Sequence, residues 1–278
     1  MQKTHSPVHS PFPHCGEFVK VSLSLAVFLL GGVSRPVTAQ WLHHPSPGVP
    51  RTADGKPNLS APVPRAPDGK PDLDGIWFID DTPIGQFGER PLALRYEIPI
   101  KDVILTPAGE VLQRQGKAND FAGALCLPMN IPGLAAAQPF KILSNRREVA
   151  ILYEVQTTYR QIFIDGREHP KEPNPAWRGY SVGRWDGDAL VVDTTGFNAR
   201  DSILPGRRPH SDALHIIERF RRRDFGHLEI EYTVDDPKIY AKSWTFKQNH
   251  HLTPDTELME YFCNENEKDL THMVGGNQ

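Results

Sequence analysis

The densest polar stretch of the chain is Arg208-Pro209-His210-Ser211-Asp212-Ala213-Leu214-His215-Ile216-Ile217-Glu218. Imidazoles and carboxylates are the groups that exchange protons near neutral pH. Read as a strand, with side chains alternating between two faces, it puts Leu214, Ile216, Glu218 and Phe220 together and His215, Ile217, Arg219 and Arg221 opposite. Glu218 therefore shares a face with apolar side chains. Inside a barrel that setting raises a carboxylate's pKa and suits it to general acid/base work. The alternative is an ion pair with an arginine of a neighbouring strand. His169 and His210 lie in or beside the two longest loops, near Asp165, Glu168, Asp201 and Asp212 in sequence. A His–carboxylate pair there would be a proton-transfer dyad. The alternative is a pair of exposed or capping histidines. The candidate catalytic residues are thus His169, His210, Glu218 and Asp201, with Arg160 or Arg219 to hold an oxyanion. Trp77, Trp177 and Trp244, with Arg160 and Arg219, are the candidate ligand-binding residues.

Other chemistries lack their motifs. The chain has no H-E-x-x-H or Cys-x-x-Cys, and His250-His251 has no acid at a matching spacing, so no metal is expected. G-x-S-x-G, G-x-G-x-x-G and Walker patterns are missing, and no cofactor is expected. The formal charge is -3, which gives no reason to expect a nucleic-acid partner. Arg219 to Arg223 is one basic cluster, read as a solvated strand end.

The elements that must position these residues are strands. Trp177 to Phe197 reads as a hairpin: Tyr180–Trp185 and Ala189–Thr194 are rich in Val, Tyr and Trp, and Asp186-Gly187 between them suits a tight turn. Further strands are expected at 74–79, 140–143, 148–153, 158–164, 213–222, 227–234, 240–247 and 257–263. A helix is expected from Thr106, with Pro107 in its first turn, to about Lys117. Such a list, without βαβ units, predicts an all-β, nearly all antiparallel fold of about 8–10 strands with one short helix, either a closed barrel or a sandwich. Ahead of it, 40–71 carries a duplicated phrase, Pro50-Arg51-Thr52-Ala53-Asp54-Gly55-Lys56-Pro57-Asn58-Leu59 and Pro64-Arg65-Ala66-Pro67-Asp68-Gly69-Lys70-Pro71-Asp72-Leu73. This reads as an extended, Pro-rich arm of polyproline-like character, lying on the surface or loose.

Val21–Val33 is a short apolar run after Lys3 and Lys20, followed by Val37-Thr38-Ala39. That is the layout of a secretory signal peptide cleaved after Ala39, giving a periplasmic or secreted protein with no membrane span left after removal. A membrane anchor is the alternative, but the run is shorter than the roughly 20 residues a span needs. In an oxidising compartment Cys126 and Cys263 are expected to form a disulfide; two separate thiols are the alternative.

Three phrases resemble a group of secreted bacterial β-rich proteins: Pro71-Asp72-Leu73-Asp74-Gly75-Ile76-Trp77, Ser181 to Asp193 (SVGRWDGDALVVD) and Glu218 to Glu229 (ERFRRRDFGHLE). The likeness covers most of the mature chain. The group has no agreed activity, so the resemblance implies export and strands but no reaction. Where its members read FND followed by Trp and an acid, this chain has Phe197-Asn198-Ala199-Arg200-Asp201-Ser202, which removes the acid from the third position. Gly75-Ile76-Trp77 also resembles the Gly-x-Trp of the lipocalin first strand, which implies a lipocalin-like barrel with the indole plugging one end. The functions these features allow are a barrel binding an apolar or aromatic small molecule, a cofactor-independent acid/base lyase, isomerase or hydrolase, and a surface protein whose arm engages a partner.

Overall fold

The computed structural model describes residues 45–80, 103–115, 127–200, 203 and 208–261. All belong to the compact unit Leu42–Gln278. Nine strands follow one another around a closed barrel: β1 (Gly75–Ile79), β2 (Phe140–Ser144), β3 (Glu148–Tyr153), β4 (Thr158–Phe163), β5 (Tyr180–Asp186), β6 (Ala189–Thr195), β7 (His215–Arg222), β8 (His227–Asp235) and β9 (Trp244–Leu252). β9 returns to pair with β1, so the sheet closes on itself. Strand alternation sets the interior. Leu190, Val192 and Thr194 of β6, and Ile216, Glu218 and Phe220 of β7, are buried, while Asp193, His215 and Arg219 point outward.

The expected all-β barrel is present, but it is not wholly antiparallel. β4 and β5 run parallel and share only Ile162↔Ser181 and Phe163↔Val182. Segment 164–179 is long enough to carry the chain back along the barrel before β5 starts, and a parallel pair requires such a return. The last strand also differs from expectation: it is Trp244–Leu252, and residues 257–261 form no strand. Its inward positions are Trp244, Phe246, Gln248, His250 and Leu252, all buried. Gln and His among them break the apolar alternation that marks a strand in sequence.

The helix α1 (Pro107–Gln115) forms as expected, with the Thr106 hydroxyl accepting the Gly109 N–H at 3.0 Å. A five-residue helix, α2 (Gly133–Ala137), was not foreseen. No helix among the described residues is long and apolar enough to cross a membrane. The expected disulfide between Cys126 and Cys263 lies outside the described residues, as does Asp201.

The arm is neither loose nor polyproline-like throughout. Each copy of the duplicated phrase folds into the same turn. In the first, Asn58 N–H bonds Pro50 O and Gly55 N–H bonds Thr52 O; in the second, Asp72 bonds Pro64 O and Gly69 bonds Ala66 O. Gly55 and Gly69 both have φ +81°, a left-handed conformation that favours glycine. Each copy's arginine then grips a carboxylate of the barrel: Arg51 bonds Asp255 at 2.7 and 2.8 Å, and Arg65 bonds Asp188 at 2.6 and 2.8 Å. At the end of the first copy and just beyond it, Leu59 O and Ala61 O accept the N–H groups of Gly226 and Phe225 in the β7–β8 turn. The arm thereby covers the barrel end where β1 begins. Trp77 plugs that end, with no exposed surface; its indole N–H bonds Leu73 O at 3.0 Å, and the Arg222 guanidinium sits 4.9 Å from its ring.

Candidate functional site

Two strands separated by β5 and β6 bring together the most concentrated buried charge. Arg160 projects inward from β4 and Glu218 from β7, each nearly inaccessible. The guanidinium donates to Glu218 Oε1 at 2.9 Å and Oε2 at 2.5 Å, to Ser181 Oγ at 3.0 and 3.1 Å, and to Thr194 Oγ1 at 2.9 Å. Burial works against the Arg160 charge, yet the Glu218 carboxylate overcomes it and holds the pKa above the ordinary value. Burial pushes the neighbouring Tyr153 phenol up to about 12. Glu218 therefore has a charged partner, but on a distant strand rather than an adjacent one. Strand parity told which face Glu218 occupies; it could not tell what meets it across the lumen.

A second part of the lumen wall is β9. Phe246 stacks on Tyr232 with ring centroids 5.0 Å apart, and Trp244 stacks on Phe246 at 5.5 Å. Beside these rings, Gln248 is 1% exposed, and among the described residues neither its amide oxygen nor its amide nitrogen has a hydrogen-bond partner. The Trp244 indole N–H and His250 Nδ1 are likewise buried without a partner among the described residues. His250 Nε2 lies 3.3 Å from Ala135 O, so that nitrogen carries the proton and Nδ1 is a bare acceptor. Burial pushes the His250 pKa down to about 4. Register places Glu218, Tyr232 and Phe246 in one row across β7, β8 and β9, and Phe220, Ile230 and Gln248 in the next. The polar strip thus lies one row from the ion pair.

The histidines singled out in the sequence lie elsewhere, each with partners of its own. His169 is on the outer face: its Nε2 is 3.0 Å from Asp193 Oδ1, and the same oxygen is 2.9 Å from His215 Nε2. The Asp193 carboxyl is held below its usual range, first by the His215 hydrogen bond, and His215 is raised by the same contact. A His–carboxylate pair thus forms, but with an acid from the hairpin strand β6 rather than from the loops. His210 is buried against Phe197; its Nδ1 donates to Ser211 O at 3.0 Å and its Nε2 is 3.3 Å from the Asn130 amide nitrogen. Its pKa is lowered by burial. His169 faces outward and Glu218 inward, so the barrel wall separates them, and proton transfer needs hydrogen-bond reach.

Of the remaining candidates, Arg219 is on the outer face and bonds Asp186 at 3.0 Å. Trp77 is the end plug, and Trp177 is half-buried near the start of β5. Trp244 does face the lumen, packed edge-on against Tyr240 at 5.6 Å. Ser181, Thr194, Tyr153, Tyr232, Gln248 and His250 were missed. Ser181 and Thr194 were findable, because both occupy inward positions of the hairpin. Among the described residues no group of three or more His, Cys, Asp or Glu is arranged to hold a metal ion.

Comparison with protein-family models, with curated proteins and with solved structures finds no match to this chain. Function has to be read from the chemistry of its own side chains.

Proposed function

We propose that the protein is a secreted or periplasmic β-barrel that binds an apolar or aromatic small molecule against the β9 wall of its lumen. The observation that carries this is the Gln248 amide, buried with both its donor and its acceptor unpartnered. An unsatisfied buried polar group costs about 1–3 kcal/mol, so a folded protein keeps one where it serves a purpose. The neighbouring Trp244, Phe246 and Tyr232 rings, stacked in sequence, make the surroundings of that amide aromatic. Gln248, the Trp244 N–H and His250 Nδ1 offer hydrogen bonds to its polar substituents. This is the usual composition of a ligand site, mostly apolar with a few polar groups that orient the guest. An acid/base enzyme finds less support, because Glu218 is already engaged by Arg160 and His210 uses both ring nitrogens.

The test is Gln248→Leu, measured by isothermal titration with a panel of phenols and indoles. The variant is expected to lose about tenfold in affinity for ligands that bind the parent protein, the equivalent of one hydrogen bond. Its unliganded stability is expected to match or exceed the parent's by about 1 kcal/mol, since an unsatisfied amide is replaced by an apolar group of similar size. Unchanged binding, or a loss of stability without any ligand response in the parent, overturns the proposal.

A further inference from the structure

A concave surface lies where the arm meets the barrel. It encloses about 230 Å3 between the second copy of the duplicated phrase and the β2–β3 turn. Its floor is apolar: Leu73 and Val149 are buried, and Ile164 and Trp185 pack partly buried against the core. Its rim is charged. The Lys70 ammonium stands 6.0 Å from the centre of the Trp185 ring and donates to Gly187 O at 3.3 Å, which leaves further N–H donors of its three. The Arg146 side chain also lines the rim and is exposed. The one acid there, Asp68, accepts the backbone N–H of Lys70 at 3.1 Å. Among the lining residues two cations thus stand against one carboxylate, and Asp188, which also lies within electrostatic reach of Lys70, is paired with Arg65.

Volume narrows the guest. An apolar cavity of about 150 Å3 takes a benzene ring, so this one holds a single ring with room for a small substituent. Charge narrows it further, because the rim favours an anionic substituent near Lys70 and Arg146. Distance matters too: a carboxylate on a ring seated against Trp185 points outward, towards solvent and the rim, and need not be desolvated in full.

We infer that this hollow is a binding site for a small aromatic carboxylate, with the ring held by Trp185, Leu73, Val149 and Ile164 and the carboxylate by Lys70 and Arg146. The site is separate from the β9 wall, and neither depends on the other. Benzoate is the probe and benzyl alcohol its uncharged counterpart, each followed by saturation-transfer NMR and calorimetric titration on the full chain. Ile164→Trp fills the hollow and is expected to weaken both probes at least tenfold. Lys70→Met combined with Arg146→Met is expected to weaken benzoate roughly fivefold, the worth of a partly exposed ion pair, and to leave benzyl alcohol unchanged. Circular dichroism checks that each variant folds; should Ile164→Trp not fold, Trp185→Ala takes its place with the same expectation. Absence of saturable benzoate binding overturns the inference, as does undiminished binding in the filled variant. Equal losses of both probes in the double charge variant overturn the assignment of an anionic guest.

Discussion

Arg160 and Glu218 are 58 residues apart in sequence and meet face to face inside the barrel. Two charges taken out of water lose hydration that their mutual attraction only partly restores. Removing one partner leaves the other buried and unpaired, and Glu218→Gln or Arg160→Met is expected to cost about 3–5 kcal/mol. The double variant Arg160→Met, Glu218→Leu removes both charges and is expected to lie within about 1 kcal/mol of the parent protein. Urea denaturation of the four proteins checks this; a double variant as unstable as the worse single one would mean that the pair itself, and not its neutralisation, stabilises the fold. At this scale the sequence was half readable. Alternation along β7 put Glu218 inside, because one face of that strand is otherwise apolar. The partner was unreadable, because side chains meeting across a lumen have no fixed spacing along the chain. Gln248 and His250 were hidden for a related reason: polar residues at inward positions look like solvent-facing ones.

Among the elements, β4 and β5 form the weakest seam of the barrel wall. They share two register pairs, whereas β7 and β8 share eight. β4 therefore pairs along its length with β3 alone, and the amides of Thr158–Gln161 directed to the other side lack a partner strand. Hydrogen exchange is expected to be faster for a peptide covering Thr158–Phe163 than for one covering His227–Asp235, which is paired on both sides. Equal protection by mass spectrometry would contradict this. The hairpins β2–β3, β5–β6 and β7–β8 were readable because short turns join runs of β-branched and aromatic residues. The direction of β5 relative to β4 was not, since the loop between them is compatible with either. Helix α2 escaped notice because a run of Gly, Leu and Ala next to two prolines carries no amphipathic period.

Acid stability is a property of the whole molecule, and His250 bears on it. Its folded pKa of about 4 lies below the ordinary 6.5, so as pH falls the unfolded chain takes up the proton first. Stability is then complete above about pH 6.5, declines towards pH 4 and levels off beyond, a loss of about 3 kcal/mol from this one group. His215 has the opposite sign: Asp193 raises its pKa, adding stability below its ordinary value that is lost as pH rises through the folded one. With about a third of each side chain exposed, that pair offsets His250 only slightly. Chemical denaturation at pH 7 and pH 4.5 is expected to show the decline in the parent protein and a flatter profile in His250→Gln; equal slopes would remove His250 as the cause. The fold class was readable at this scale, and the docking of the arm was not, because Asp188 and Asp255 are ordinary surface acids until the barrel puts them within reach. The arm also shows how little context its conformation requires. The same words adopt the same shape twice, against two unrelated stretches of barrel. The hydrogen bonds that close the turn lie within the phrase, and the carboxylate is the contact with the rest of the chain that both copies share. It is a repeated clip, its turn closed by its own backbone and its arginine docked on an aspartate distant in sequence.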